Sequence, residues 1–294
     1  MSDLLQAFVL PEIGVRGACV RLGEGYRQTL SHQPYPAALQ RWLGQAMAAS
    51  TLLMTGLKFT GRLSLQLQGG KDITLMYAEC TSEGDVRAIA RWAEHAIDWT
   101  REFDALAAGG VLAITLEPAQ SRERYQGIVA LSGGALDSAI EAYFEQSEQL
   151  PTRLLLSADG QHAAGLLLQR MPAQGGSGTP VDPDGWNRAQ HLLATVSPEE
   201  LLDTEAEVLL HRLFHDLDRI QREPLPLHVR CRCSREKVAD VLRRIGQDEA
   251  LAAAADGHAE VTCEFCGRSY RFDRIELAQL FHPQPPVDPP ESRQ

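Results

Sequence analysis

At 294 residues the chain is long enough for one large or two ordinary domains with ample core. Lysine plus arginine number 28 against 39 aspartate plus glutamate, a formal charge of -11, which argues against a phosphate-binding surface built on cationic side chains. No apolar stretch approaches the length of a membrane span, and Met1-Ser2-Asp3 lacks the basic start and apolar core of a secretory signal. The expectation is a cytoplasmic protein that binds neither nucleic acid nor membrane.

Ala7 to Leu10 and Val15 to Leu22 read as short strands joined through Pro11 and Gly14. From Tyr35 to Leu57 the chain is apolar almost all round (Leu39, Trp42, Leu43, Ala46, Met47, Leu53, Met54), the mark of a helix buried on most faces. Arg62 to Gln68 alternates strictly, with Leu63, Leu65 and Leu67 on one face, and Gly69-Gly70 turns the chain into Ile73–Glu79. Asp85–Trp92, Val111–Leu116 and Tyr125–Leu131 continue the strand series, and Ser138 to Ser147 reads as a helix stopping before Pro151. Two apolar runs, Arg153–Ala158 and Ala163–Gln169, join across the hairpin signal Asp159-Gly160. Short strands linked by turns, with helices interspersed, predict an α+β fold with an antiparallel-rich N-terminal core domain over 1–172.

A flexible linker, Ala173-Gln174-Gly175-Gly176-Ser177-Gly178-Thr179-Pro180, comes next, and linker plus helical segment span 173–226. Ser197-Pro198-Glu199-Glu200 is a capping-box helix start, and Glu207 to Leu217 places Leu209, Leu210, Leu213, Phe214 and Leu217 on one face. These helices are short, so their stability must come from docking. Residues 227–282 form a small last module with few large apolar residues, marginal without a staple, and 283–294 read as a disordered Pro-rich tail.

The staple is chemical. The last module holds four of the six cysteines, Cys231-Arg232-Cys233 and Cys263-Glu264-Phe265-Cys266. This is the ligand count for one tetrahedral zinc held by four thiolates, the two pairs meeting when the intervening segment folds back. C-x-C is unusual. A disulfide between Cys231 and Cys233 would close a very small ring, and strained bonds of that kind are comparatively reducible. Spacing alone leaves a structural knuckle and a redox-active site equally open. Cys19 and Cys80 lie in apolar alternating segments and read as buried, inert thiols.

HVRCRCSREKVADVL (228–242) followed by VTCEFCGRSYRFD (261–273) closely resembles the C-terminal switch of the thirty-three-kilodalton heat-shock chaperonin family. The resemblance extends to AYFEQSEQLPT (142–152), LLLQRMP (166–172) and LFHDLDRI (213–220), and so covers most of the chain. It implies a bacterial, ATP-independent holdase, not an enzyme, with no nucleotide cofactor. It implies one zinc per chain bound by Cys231, Cys233, Cys263 and Cys266 when reduced, with neighbouring pairs Cys231–Cys233 and Cys263–Cys266 forming on oxidation. Its partners would be unfolding client proteins and, when oxidised, a second copy of itself in a dimer. Physical reasoning makes such a switch workable: structural zinc contributes about 10–16 kcal/mol in small peptides, against roughly 5–15 kcal/mol for a whole domain. Losing the thiolate ligands should unfold the module and free the helices of 184–220.

Two rival classes use the same cysteines. A zinc-ribbon nucleic-acid-binding protein is opposed by the acidic balance and would show a steep salt dependence. A thiol–disulfide oxidoreductase would keep one exposed, low-pKa cysteine and turn over substrate disulfides. Weaker signals reduce to structure. Ala130-Leu131-Ser132-Gly133-Gly134 lacks the first glycine of a nucleophile elbow. His211 and His215 sit at i, i+4 without the H-E-x-x-H pattern, and Gly69-Gly70-Lys71 lacks Walker spacing. Glu145 to Thr152 reads as a helix end running into a turn.

Overall fold

The computed structural model describes residues 3–56, 60–121, 123–129, 131, 134–172, 182–254 and 257–281. The linker stretch 173–180, the tail from 283, Ala130, Ser132, Gly133 and the expected helix end at Leu57 lie outside these. Two units emerge, Met1–Arg230 and Cys231–Gln294.

In the first unit, β1 (Leu4–Leu10) and β2 (Val15–Leu22) form a hairpin through a 3-10 turn, Pro11–Ile13, closed by Gly14 at φ 62°. Helix α1 (Glu24–Leu30) begins where the Gly23 and Gly25 amides donate to the Asp3 carboxylate, each at 2.6 Å. Then come α2 (Ala37–Met54), β3 (Gly61–Gln68), β4 (Ile73–Thr81) and β5 (Asp85–Trp92). The one-turn α3 (Phe103–Leu106), β6 (Val111–Pro118), β7 (Tyr125–Val129) and α4 (Leu136–Gln146) continue the unit. Next are β8 (Thr152–Ala158) and β9 (Ala163–Arg170), turning at Gly160 with φ 90°. The unit closes with α5 (Gly185–Leu193), α6 (Pro198–Asp203), α7 (Ala206–Phe214) and the short strands β10 (Ile220–Gln221), β11 (Leu225–Pro226) and β12 (His228–Val229).

The strands make two six-stranded sheets among the described residues. One runs β10-β1-β2-β9-β8, with β11 also on β1; the other runs β12-β5-β4-β3-β6-β7. Every pairing is antiparallel except β12 on β5. The antiparallel-rich α+β class expected from the alternating strands is therefore the fold found. Helix α2 packs on both sheets, which is why it is apolar almost all round: Leu39, Leu43, Met47 and Leu52 are fully buried in one cluster with Val20 and Leu167 of the first sheet and Leu65 and Met76 of the second. Among the described residues no helix is long and apolar enough to cross a membrane.

The first sheet is apolar on its other face too. There Phe8, Leu10, Val15, Cys19, Leu166 and Leu168 meet Ala189, Leu193, Leu201, Leu209, Leu210, Leu213 and Phe214 of α5, α6 and α7. Gly17 makes room for this contact, since a Cβ there would overlap the Phe8 ring, and Phe8 in turn meets Phe214 at 5.8 Å. The first unit thus runs through residue 172, where the core domain was expected to end. Both faces of β1 and β2 require cover, and the second cover comes from 185–214.

Short polar contacts pin the rest. Ser197 caps α6, accepting from the Glu200 amide at 3.1 Å, as the capping-box spacing requires. Buried Asp72 ties down the segment after β5 through His95 at 2.8 Å and Arg101 at 2.9 Å, and the His95 hydrogen bond, with Arg101 nearby, holds its carboxyl below the usual range. The 145–152 turn is built around Glu148, which accepts from Tyr125 and Tyr143 at 2.7 Å each, with Gln149 at φ 53°.

The second unit comprises α8 (Arg235–Ile245), α9 (Gln247–Ala252), the hairpin β13 (His258–Thr262) and β14 (Ser269–Asp273), and α10 (Arg274–Phe281). Its buried cluster is small and alanine-rich: Val238, Ala239, Leu242, Ala250, Ala254, Ala259, Tyr270, Phe272 and Leu277. A core of that size supplies little stability alone.

Candidate metal centre

The four expected cysteines converge at one end of the second unit. Cys231 and Cys233 lie on the extended stretch before α8, and Ser234 ends it by capping α8, its Oγ accepting from the Lys237 amide at 3.3 Å. Cys263 and Cys266 lie in the turn joining β13 to β14. That turn is a knuckle: the Gly267 amide donates to the Cys263 carbonyl at 2.8 Å and the Cys266 amide at 3.3 Å, with Gly267 at φ 67°. The Cys263 amide donates across the turn to the Arg268 carbonyl at 2.9 Å.

All four Sγ atoms lie within 4.8 Å of one another. Two pairs bridge the two arms, Cys231 to Cys263 at 3.6 Å and Cys233 to Cys266 at 3.5 Å. A tetrahedral metal with metal–sulfur bonds of about 2.3 Å requires sulfurs about 3.8 Å apart, close to the two bridging distances, so the four sulfurs suit one ion. All six cysteines are free thiols.

Tyr270 on β14 donates its hydroxyl to Cys233 Sγ at 3.0 Å while its ring sits in the small core. Burial raises the Cys233 thiol, but hydrogen bonds from Tyr270 and from the other three cysteines outweigh it and draw the thiol down to about 7. Burial pushes Cys266 up to about 12 and raises Cys263 as well. Tyr270 is the residue in contact with the cluster that sequence reasoning passed over. Its only signal is a phenol four residues beyond Cys266, on the inward register of a short strand.

The remaining candidates do not join the site. Among the described residues the four cysteines are the only group of three or more metal-ligating side chains gathered closely enough to hold an ion. His211 on α7 and His215 at its C-cap are exposed neighbours with rings 6.2 Å apart. Cys19 and Cys80 are buried in the first unit, on opposite faces of its architecture: Cys19 beneath α5–α7 and Cys80 against the α2 cluster. Burial pushes both thiols up to about 12.

Known proteins match this chain over nearly its whole length, and these relatives are named chaperonins. The family described as "Hsp33 protein" matches residues 3–273. A "33 kDa chaperonin" of Methylobacillus flagellatus is 39% identical over 283 residues, covering 96% of this chain and 95% of that protein. One of Ectopseudomonas mendocina is 41% identical over 283 residues, covering 96% of each. The crystal structure of a 33 kDa chaperonin from Thermotoga maritima has the same fold, with a TM-score of 0.80 at 21% identity over 95% of this chain and 98% of that one. The chain belongs to the Hsp33 family.

Proposed function

We propose that the protein is a redox-regulated, ATP-independent holdase of the bacterial cytoplasm, which binds unfolding proteins after oxidation of Cys231, Cys233, Cys263 and Cys266. The observation that carries this reading is the four-sulfur cluster in a module whose own core is too small to hold it together. Bound zinc would supply four metal–thiolate bonds, worth about 10–16 kcal/mol of apparent free energy in small zinc-folded peptides. That is as much as an ordinary domain's whole stability, roughly 5–15 kcal/mol.

Cys231, Cys233, Cys263 and Cys266 would hold the ion as thiolates, with Tyr270 donating to Cys233. Oxidation joins Cys231 to Cys233 and Cys263 to Cys266. Each bond would form from two thiolates, whose two electrons reduce one peroxide to two waters with two protons taken from solvent. The sulfurs then lack the charge to act as ligands and the module loosens. Residues 173–226 respond in turn: α5–α7 leave the first sheet, and Phe8, Leu10, Val15, Leu166 and Leu168, together with the helices' own apolar faces, meet client chains. Binding rather than turnover is the activity, and the oxidised form assembles as a dimer.

Light scattering from a thermally unfolding client tests the reading. Peroxide-oxidised protein should suppress aggregation without nucleotide, and the reduced, zinc-loaded protein should not. Equal suppression by both forms would remove redox control and leave the cluster structural.

A further inference from the structure

Arg21 is a charged residue on a strand buried on both faces. It lies on β2 two residues beyond Cys19, therefore on the same face of the sheet, and is only 7% exposed. Its guanidinium donates to the carbonyls of Leu201 (3.4 Å), Leu202 and Thr204. These carbonyls belong to the last turn of α6 and its C-cap, groups with no partner inside the helix. The charge also sits at the negative end of that helix. With six residues, α6 cannot hold itself together, and it carries Leu201 and Leu202 into the cluster that covers the sheet.

We propose that Arg21 is the positioning residue that pins the helical cover to the first sheet, so that its loss uncovers that face while the four-cysteine cluster stays reduced and intact. The planar fork serves several carbonyls at once, which a lysine ammonium on a flexible stem does not reproduce. That uncovering also frees client-binding surface rests on the function proposed above; the pin itself does not.

Two buried thiols allow the pin to be read directly. Cys19, 1% exposed, lies under α5–α7, whereas Cys80, 0% exposed, packs in the α2 cluster. Lifting the cover exposes only Cys19. Global unfolding exposes both. Removing Arg21 also removes a positive charge that lowers the Cys19 pKa, which by itself would slow alkylation, so faster labelling reports opening.

The experiment uses reduced, full-length, zinc-loaded protein, with zinc content measured throughout and alkylation mapped by mass spectrometry. Arg21→Ala should label Cys19 about ten- to a hundred-fold faster than wild type, the range expected for losing hydrogen bonds from a charged donor, with Cys80 unchanged. Arg21→Lys should fall between, and it carries the same two-thiol test if the alanine variant fails to fold. An unchanged Cys19 rate, or Cys19 and Cys80 accelerating together, overturns the proposal. Client scattering on the same samples separates the two claims: Cys19 opening alone with no suppression upholds the pin and sinks the client-binding face, while Cys19 staying covered sinks the pin whatever the scattering.

Discussion

Cutting the chain after Pro172 tests how far the first unit depends on its C-terminal helices. The cut removes α5–α7 and the short strands on β1, leaving one face of the first sheet bare. Six large side chains would be uncovered, Phe8, Leu10, Ile13, Val15, Leu166 and Leu168, none more than 2% exposed in the intact chain. At about 1.5–3 kcal/mol for each fully buried side chain, the lost burial is on the order of 10–20 kcal/mol. That is an upper bound, because an unfolded chain already shields part of this surface. It still rivals a whole domain's stability of roughly 5–15 kcal/mol. The α2 cluster remains, so the expected outcome is a fragment that keeps secondary structure but self-associates and binds a hydrophobic dye, whereas a fragment ending at Arg230 is monomeric and unfolds cooperatively. Sedimentation, dye fluorescence and urea unfolding on the two fragments decide it. A 172-residue fragment that is monomeric at micromolar concentration, dye-negative and as resistant to urea as the longer one would refute the reasoning.

Single contacts set further outcomes. Tyr270→Phe keeps the buried ring but removes the hydroxyl donated to Cys233, and zinc affinity by chelator competition should fall about ten- to a hundred-fold. The carboxyl of Asp72 is held below its ordinary value by His95 and Arg101. Its stabilisation is therefore complete above about pH 4, the unfolded value, and lost as pH falls through the lower folded value; urea midpoints from pH 7 to pH 3 should drop less steeply in Asp72→Asn than in wild type. Gly17→Ala drives a Cβ into the Phe8 ring and to within 2.8 Å of the Leu167 carbonyl oxygen, and should cost about 1–3 kcal/mol in urea unfolding.

Local chemistry made the cysteine cluster legible, because C-x-C and C-x-x-C carry their ligand geometry within a few residues. The central helix was legible for the same kind of reason, since a helix without a polar face must be surrounded. Tyr270 was hidden because its role depends on the β13–β14 register and on where Cys233 ends up. The boundary at 172 was misleading, yet β2 held the warning: Val15, Ala18, Cys19, Val20 and Leu22 are buried across both faces, and one central helix can cover only one. Arg21, set among them, marks where the second cover attaches.

The arrangement of the sulfurs has a consequence for how far a disulfide can restrain the module. Cys231 stands 3.6 Å from Cys263 and Cys233 3.5 Å from Cys266, and bonds between those pairs would tie residues some thirty apart and lock the hairpin to the stretch before α8. Bonds between sequence neighbours leave that whole intervening stretch untied. A closed loop of such length removes chain entropy worth about 3–4 kcal/mol, whereas a loop of one or two residues restrains almost nothing at a distance. Which sulfurs are joined therefore decides whether oxidation restrains the module: crossed bonds would hold its shape, and the neighbouring bonds proposed above leave it free to open.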